Sequence, residues 1–398
     1  MSMNQKAFRF CAFDTLFFKE SRPFESIGGS ELSSVFPPPP RTILGAIRTA
    51  IGDAQGVNWA AFSKGSEETR ETQKTIGYGD DLGALSLNGI WFSIGNEKSE
   101  RLYPAPLLLL EKTIMGGTTK FERLQIGKPV RTHLGNVCLP EMPMNKMGYK
   151  PLDSHWLTQS GLAQVLSGAK PKADDVYESK QLFSQESRLG IARDNETRTV
   201  NEKMLYQSKH IRPVDDLTIE IDVCGVPDQL INKRVLRLGA EGRMAGVQLV
   251  ETGAAQGLPD APTVTSKTKG ILLVLVTAAN FAEGEWLPPG FVDNTVVGET
   301  LEPTRWSGEI SEIKLTLHAA VIGKAQREGG WNIAEHKPRA VESLIPAGSC
   351  FYCTVDGGDI QAAVDKLHGQ AIGNQTKLGR GRIVCGLWNE SEFTGTTL

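Results

Sequence analysis

The sequence lacks the signatures of the common soluble enzymes. No GxxxxGK[ST] phosphate loop occurs, no GxGxxG follows a strand-like segment, and neither HExxH nor GxSxG is present. These absences argue against a P-loop hydrolase, a dinucleotide-binding turn, a zinc peptidase and a serine-hydrolase elbow. Histidine is scarce: there are six in 398 residues, the first is His133, and none shows paired metal-ligand spacing. Cysteine is equally scarce, and only Cys350 and Cys353 form a CxxC. A zinc site wants a second such pair, so these two read as strand residues and all six as free thiols. Apolar runs are short. The longest, Ile271 to Ala279, suits a buried strand and falls well below a membrane span. The polar stretch Met1 to Lys6 has no signal-peptide architecture, so the expectation is a cytoplasmic protein with no membrane contact. A basic excess is missing too: 43 Lys and Arg face 46 Asp and Glu, a net charge of −3. Any nucleic-acid contact must then come from local patches. Carboxylates are abundant, but nothing marks one pair out as general acid and base.

Apolar periodicity is present, and it changes along the chain. Alternation predicts a first strand over Phe8 to Phe18 and further strands over Ala84 to Ile94, Leu217 to Val223, Val235 to Leu238 and Val247 to Val250. Ile271 to Ala279, Ile313 to Ile322, Cys350 to Val355 and Ile383 to Trp388 read as later strands. The proline run Pro37 to Pro40 precedes a helix whose Ile43, Ile47, Ala50 and Ile51 share a face. A second helix follows Asp359, which can cap it, with Ile360, Val364 and Leu367 inward. Trp156 to Leu166 reads as a short helix, and Lys170 to Lys209 as a long loop or extended hairpin. Arg101 to Asp153 shows little periodicity. The class is α+β, and the length makes two domains the default.

Three basic clusters carry the candidate chemistry. On the first helix, Arg41, Gly45, Arg48 and Gly52 fall on one side, two cations flanking a position with no side chain. The segment from Arg188 to Arg212 interleaves Arg188, Arg193, Arg198, Lys203, Lys209, His210 and Arg212 with Tyr206, yet nearby acids nearly cancel its charge. Near the C-terminus, Gly373, Gly379 and Gly381 alternate with Lys377, Arg380 and Arg382, a composition that suits close backbone approach to an anion. Lys233 to Arg243 is a further basic, glycine-containing stretch. The paired aspartates of Tyr78-Gly79-Asp80-Asp81 read as a surface turn, because the preceding residues are polar and form no strand.

Together these residues resemble a known family. The N-terminal run Asp14-Thr15-Leu16-Phe17-Phe18-Lys19-Glu20-Ser21-Arg22-Pro23-Phe24, the stretch Phe36-Pro37-Pro38-Pro39-Pro40-Arg41 and the box Leu238-Gly239-Ala240-Glu241-Gly242-Arg243 are similar to RAMP proteins. The RAMP group concerned is the third-subunit family of Cmr (type III-B) CRISPR effector complexes. Ala240 stands where that family has a second glycine. The resemblance implies two ferredoxin-like (RRM-like) domains with long loop or hairpin insertions, expected here as 1–210 and 211–398. It implies a non-catalytic subunit that holds the 5′ handle of the crRNA. The implied partners are the large polymerase/cyclase-like subunit two and the backbone subunit four, with target RNA reached indirectly and no cofactor or metal. Candidate RNA contacts are Arg22, Arg41, Arg48, Arg188, Arg193, Arg198, Lys203, Tyr206, Lys209, Arg212, Arg243, Gly373, Lys377, Gly379, Arg380, Gly381 and Arg382. Two other readings stay open: a RAMP-type riboendonuclease that processes guide RNA, and an adaptor that binds only protein. The lack of histidine before His133 weighs against the first, and the near-neutral charge keeps the second.

Overall fold

In the computed structural model, two antiparallel sheets share a core. The structure describes residues 5–20, 31–95, 99–114, 116–143, 147–193, 196–197, 199–227, 235–250, 257–282, 285–294, 303–332 and 337–392. Strand residues far outnumber helical ones, so the class is α+β with sheet dominant.

The N-terminal sheet has eight strands. From edge to edge they are Val176–Glu178, His155–Thr158, Glu100–Pro104, Ser86–Ile94, Leu217–Cys224, Gln5–Ala12, Met244–Val250 and Val235–Arg237. Its register follows the apolar alternation: Phe8 faces Ile221 and Phe10 faces Ile219. One face of this sheet packs on the helix Pro40–Ala54, whose Ile43, Leu44, Ile47 and Ile51 meet Phe8, Phe10, Phe92 and Ile219 in one core. Pro40 suits the first helical position, where the missing N–H costs nothing.

The C-terminal sheet has six strands, ordered Val292–Asp293, Trp306–Ile310, Ile313–Val321, Cys350–Val355, Thr268–Leu275 and Ile383–Asn389. Helix Ile360–Leu367 covers one face with Val364 and Leu367, and Asp359 caps it by accepting the Gln361 N–H at 2.8 Å. The other face meets the N-terminal sheet. Trp91 and Tyr103 join Leu272, Val274, Tyr352 and Trp388 around helix Gln159–Leu166. Cys350 and Cys353 are both buried on opposite faces of one strand, one in each of two cores, so they cannot grip one ion together.

Several expectations need correction. The first strand ends at Ala12, not Phe18, and the chain then bends so that Leu16 bridges Ile211. Trp156 begins in a strand, and the helix starts only at Gln159, after the Thr158 hydroxyl caps it. The aperiodic region 101–153 holds hairpins, among them Gln125–Thr132 with Gly135–Glu141. Three strands after residue 210 complete the N-terminal sheet, with Leu217–Cys224 at its centre. The change of sheet falls between Val250 and Thr268.

Buried between the strands is a four-charge network. Arg101 is 2 % exposed and lies against Glu220 and Asp222. Its Nε donates to Glu220 at 3.0 Å, and Nη1 and Nη2 donate to Asp222 at 2.9 and 3.0 Å. The Trp91 indole also donates to Asp222 at 3.0 Å, and Arg9 donates to Glu220 at 3.0 Å. Burial works against the Arg101 charge, but the two carboxylates outweigh it and hold its pKa above the ordinary value.

Candidate functional site

The long segment after residue 180 forms a hairpin, Phe183–Arg193 with Val200–Pro213. Its register pairs Ser184 with Arg212, Glu186 with His210, Arg188 with Ser208 and Gly190 with Tyr206. Paired residues share a face in an antiparallel ladder. One face therefore carries Glu186, Arg188, His210, Arg212 and Tyr206 together. The other presents Leu189 and Ile191, which are 81 % and 53 % exposed.

The charged face closes on two distant pieces of chain. Arg188 and Arg212 donate to the Asp14 carboxylate at 2.8 and 2.9 Å, and Arg243 adds a third contact at 3.1 Å. Glu186 ties the same two hairpin arginines from behind through their Nε groups, at 2.8 and 2.5 Å. Three cations against two carboxylates leave one positive charge in excess within this network. The loss of hydration around Asp14 works against its charge, but hydrogen bonds from Arg188 and Arg212 prevail and hold its pKa down at about 2. The cluster is half-open to solvent, with side-chain exposures of 45 % for Asp14 and 31, 45 and 20 % for Arg188, Arg212 and Arg243. A concavity of about 100 Å³ opens beside it, lined by Cys11, Phe13, Asp14, Arg212 and Asp215 among others.

Beneath lies a closed support. His210 is fully buried and stacks on Phe17, with ring centroids 4.8 Å apart. Its Nδ1 meets the Thr15 hydroxyl at 3.0 Å, and its Nε2 meets Ser208 and Glu241 at 3.0 and 3.1 Å. Burial, reinforced by Arg243, pushes the His210 pKa down. The turn bearing Glu241 docks through the Ala240 N–H, which donates to the Phe17 carbonyl at 2.8 Å. Tyr206 lies across Gly190, where any Cβ would sit 2.2 Å from its ring, and its hydroxyl donates to Glu241 at 3.3 Å. Only glycine fits beneath that ring.

The first-helix cations form a separate network. Arg41 donates to Asp80 at 3.2 Å, Arg339 donates to the same oxygen at 2.5 Å, and Arg48 donates to the Gly79 carbonyl at 3.3 Å. The paired-aspartate turn is thus a surface clasp for arginines. Gly45 is open, whereas Gly52 is covered by Trp59, so the expected backbone-approach face is half the size.

The C-terminal glycine loop is a joint. Arg380 is 2 % exposed and committed to Glu328 at 2.7 Å and Glu342 at 3.1 Å. The guanidinium expected on RNA is instead buried and neutralised inside the protein. Gly381 has φ +69° and stands where a Cβ would press 1.8 Å from the Ile372 carbonyl oxygen. A Cβ at Gly373 would lie 2.5 Å from the Asn280 carbonyl oxygen and one at Gly379 3.3 Å from the Leu87 Cβ, so these glycines are also packed against neighbouring chain. The half-buried Arg382 donates to the Gly369 carbonyl at 2.5 Å and to Asn88 at 3.2 Å. Lys377 is exposed. Lys209 pairs with Glu31 on the other hairpin face. Arg22 and Arg198 lie outside the described residues, as do Lys233 and Arg234, and Arg193 and Lys203 sit on the hairpin backbone.

Asp14, Glu186 and Glu241 were not among the expected site residues. Nothing in their spacing marks them, because Asp14 and Arg243 meet across 229 residues of sequence. Among the described residues, no three His, Cys, Asp or Glu side chains could hold a metal ion, and no helix is long and apolar enough to cross a membrane.

Comparison with known proteins adds the following. A family model described as "CRISPR-associated protein (Cas_Cmr3)" matches residues 8–388. No curated protein matches the sequence. Among solved structures, the chain is similar to one in a cryo-EM structure of the Type III-B Cmr-beta bound to cognate target RNA and AMPPnP. That match has 14 % identity, covers 91 % of this chain and 88 % of the other, and has a TM-score of 0.44. A second Cmr-beta structure bound to cognate target RNA gives 15 % identity, coverages of 90 and 88 %, and a TM-score of 0.43. A chain of the Csm3-Csm4 subcomplex of the type III-A interference complex gives 10 % identity, coverages of 96 and 99 %, and a TM-score of 0.34.

Proposed function

The chain belongs to the CRISPR-associated Cas_Cmr3 family, and from that premise we propose that it is a non-catalytic, RNA-gripping subunit of a type III-B (Cmr) effector complex. It holds the 5′ handle of the crRNA. It docks the large polymerase/cyclase-like subunit two onto the backbone subunit four, meets target RNA only indirectly, and works in the cytoplasm. The observation that carries the RNA contact is the convergence of Arg188, Arg212 and Arg243 on one half-open patch beside the exposed Phe13. Guanidinium groups bind phosphate oxygens in a fork geometry, and aromatic faces accept splayed bases.

Two ferredoxin-like units fit this reading. In the C-terminal sheet, the strands Thr268–Leu275, Ile313–Val321, Cys350–Val355 and Ile383–Asn389 lie in the spatial order fourth, first, third, second. The third and fourth are joined by the helix Ile360–Leu367, as in a split β–α–β crossover. In the N-terminal sheet, Gln5–Ala12, Ser86–Ile94, Leu217–Cys224 and Met244–Val250 lie in the same spatial order, and the helix Pro40–Ala54 falls between the first and second. We place the junction of the two units between Val250 and Thr268.

The riboendonuclease reading finds little support at this patch. His210 is sealed against Phe17 and engaged at both ring nitrogens, and the Tyr206 hydroxyl is held by Glu241.

UV crosslinking of the purified effector complex, with RNA adducts mapped by mass spectrometry, tests the proposal. Adducts at the first eight or so guide nucleotides should land on Phe13, Tyr206 or the hairpin between residues 183 and 213. Adducts confined to other subunits would leave the chain as a protein-only adaptor.

A further inference from the structure

We propose that Asp14 occupies, in the free protein, the place of an RNA phosphate, so that binding proceeds by exchange of one anion for another. This inference rests on the RNA-gripping reading and says how the same patch is regulated. The geometry points to it. Two arginine Nη groups share Asp14 Oδ2 and a third takes Oδ1, a crowding of donors on two coplanar oxygens. A phosphodiester carries its charge on two non-bridging oxygens, each with three lone pairs and set farther apart than those of a carboxylate, so it accommodates three guanidinium donors with less crowding. Glu186 fixes the Nε edges of Arg188 and Arg212, which keeps their Nη ends aimed at the Asp14 position whatever anion stands there. Asp14 is also free to leave. Its side chain is 45 % exposed, and it sits on the bend after the strand Gln5–Ala12, beside the concavity. Next to it Phe13 is 64 % exposed, so a nucleotide whose phosphate replaced the carboxylate would find an aromatic face adjoining.

The inference predicts an inverted mutational effect. Neutralising the site in Asp14→Asn should tighten binding of a fluorescein-labelled U12 oligoribonucleotide by roughly tenfold in anisotropy titrations of the full chain. Glu186→Gln removes the same charge away from the proposed phosphate position, and should gain no more than about threefold. Adding Arg212→Gln to Asp14→Asn should erase the gain. A second readout uses inorganic phosphate alone. At matched ionic strength, phosphate should raise the melting temperature of Asp14→Asn more than that of the native chain, which also establishes that the variant folds. If Asp14→Asn binds U12 no more tightly than Glu186→Gln, or gains nothing from phosphate, the placeholder idea is wrong. If Arg188→Gln and Arg212→Gln also leave native U12 binding unchanged, the RNA-gripping reading of this patch fails with it. If those two variants weaken binding while Asp14→Asn does not strengthen it, the grip stands and only the exchange is refuted.

Discussion

Removing the Arg101 guanidinium should unfold the N-terminal sheet more readily than any surface change. The side chain is 2 % exposed, and its partners Glu220 and Asp222 are 1 % and 5 % exposed on the central strand. Arg101→Met fills much of the same volume but leaves Glu220 with the hydrogen bond from Arg9 and Asp222 with that from the Trp91 indole. Breaking a buried pair from one side typically costs about 3–5 kcal/mol, because the stranded charge keeps its desolvation penalty. For a unit of this size that corresponds to a fall of about 6–20 °C in melting temperature. Arg101→Lys should recover little, since one ammonium nitrogen cannot reproduce the planar spread of Nε, Nη1 and Nη2 that reaches both carboxylates here. The triple variant Arg101→Met, Glu220→Gln, Asp222→Asn should regain most of the loss, because no charge is then stranded. Urea denaturation followed by circular dichroism measures all three. A loss below about 1 kcal/mol in Arg101→Met would refute the reasoning, and so would a triple variant no better than the single one.

Two further outcomes follow from buried charges elsewhere. Arg380→Gln should cost about 3–5 kcal/mol by stranding Glu328, which is 4 % exposed, while leaving U12 affinity unchanged; anisotropy beside thermal melts separates the two effects. His318 is held to a pKa of about 4 by burial and by Arg305 and Lys269, against an ordinary 6.5. Its folded form therefore binds fewer protons than the unfolded chain, so its contribution is full above pH 6.5 and is lost as pH falls towards 4. The loss amounts to about 3 kcal/mol, and the difference in urea midpoint between the native chain and His318→Gln, taken at pH 7.5 and 4.5, should reveal it.

Much of the fold was legible because its signals are local. Ile271, Leu315, Cys353 and Cys385 sit in runs of apolar residues that only a buried strand explains, and Asp359 stands where a helix must be capped. The hairpins between residues 101 and 153 were not, since two of their strands have only five residues and two others carry a glycine and a proline, which leaves too few alternations to count. The site divides the same way. Arg188, Arg212 and Arg243 could be named as cations, but which carboxylate each would meet depends on pairing across the whole N-terminal sheet. The hairpin's mixed charges read as a solvated loop because sequence order interleaves its two faces. In the pleated ladder, Glu186, Arg188 and Arg212 fall on one side, and their charges concentrate there. Arg380 misled for the converse reason: its neutralising partner Glu328 lies 52 residues away, invisible to any local charge count.

The position of the strand Leu217–Cys224 has a consequence for how the chain is made. Gln5–Ala12 pairs with that strand and with Met244–Val250, and with no other strand among the described residues. From Ala12 to Leu217 is 217 − 12 = 205 residues. At a translation rate of about 5–20 residues per second, the first strand waits about 10–40 s at the ribosome before its partner exists. Through that interval Phe8 and Phe10 have no sheet to enter. The helix Pro40–Ala54 and the hairpin of Ser86–Ile94 with Glu100–Pro104 emerge early, but both must wait for a strand that comes more than a hundred residues later. The N-terminal sheet therefore assembles late and non-locally, from its centre.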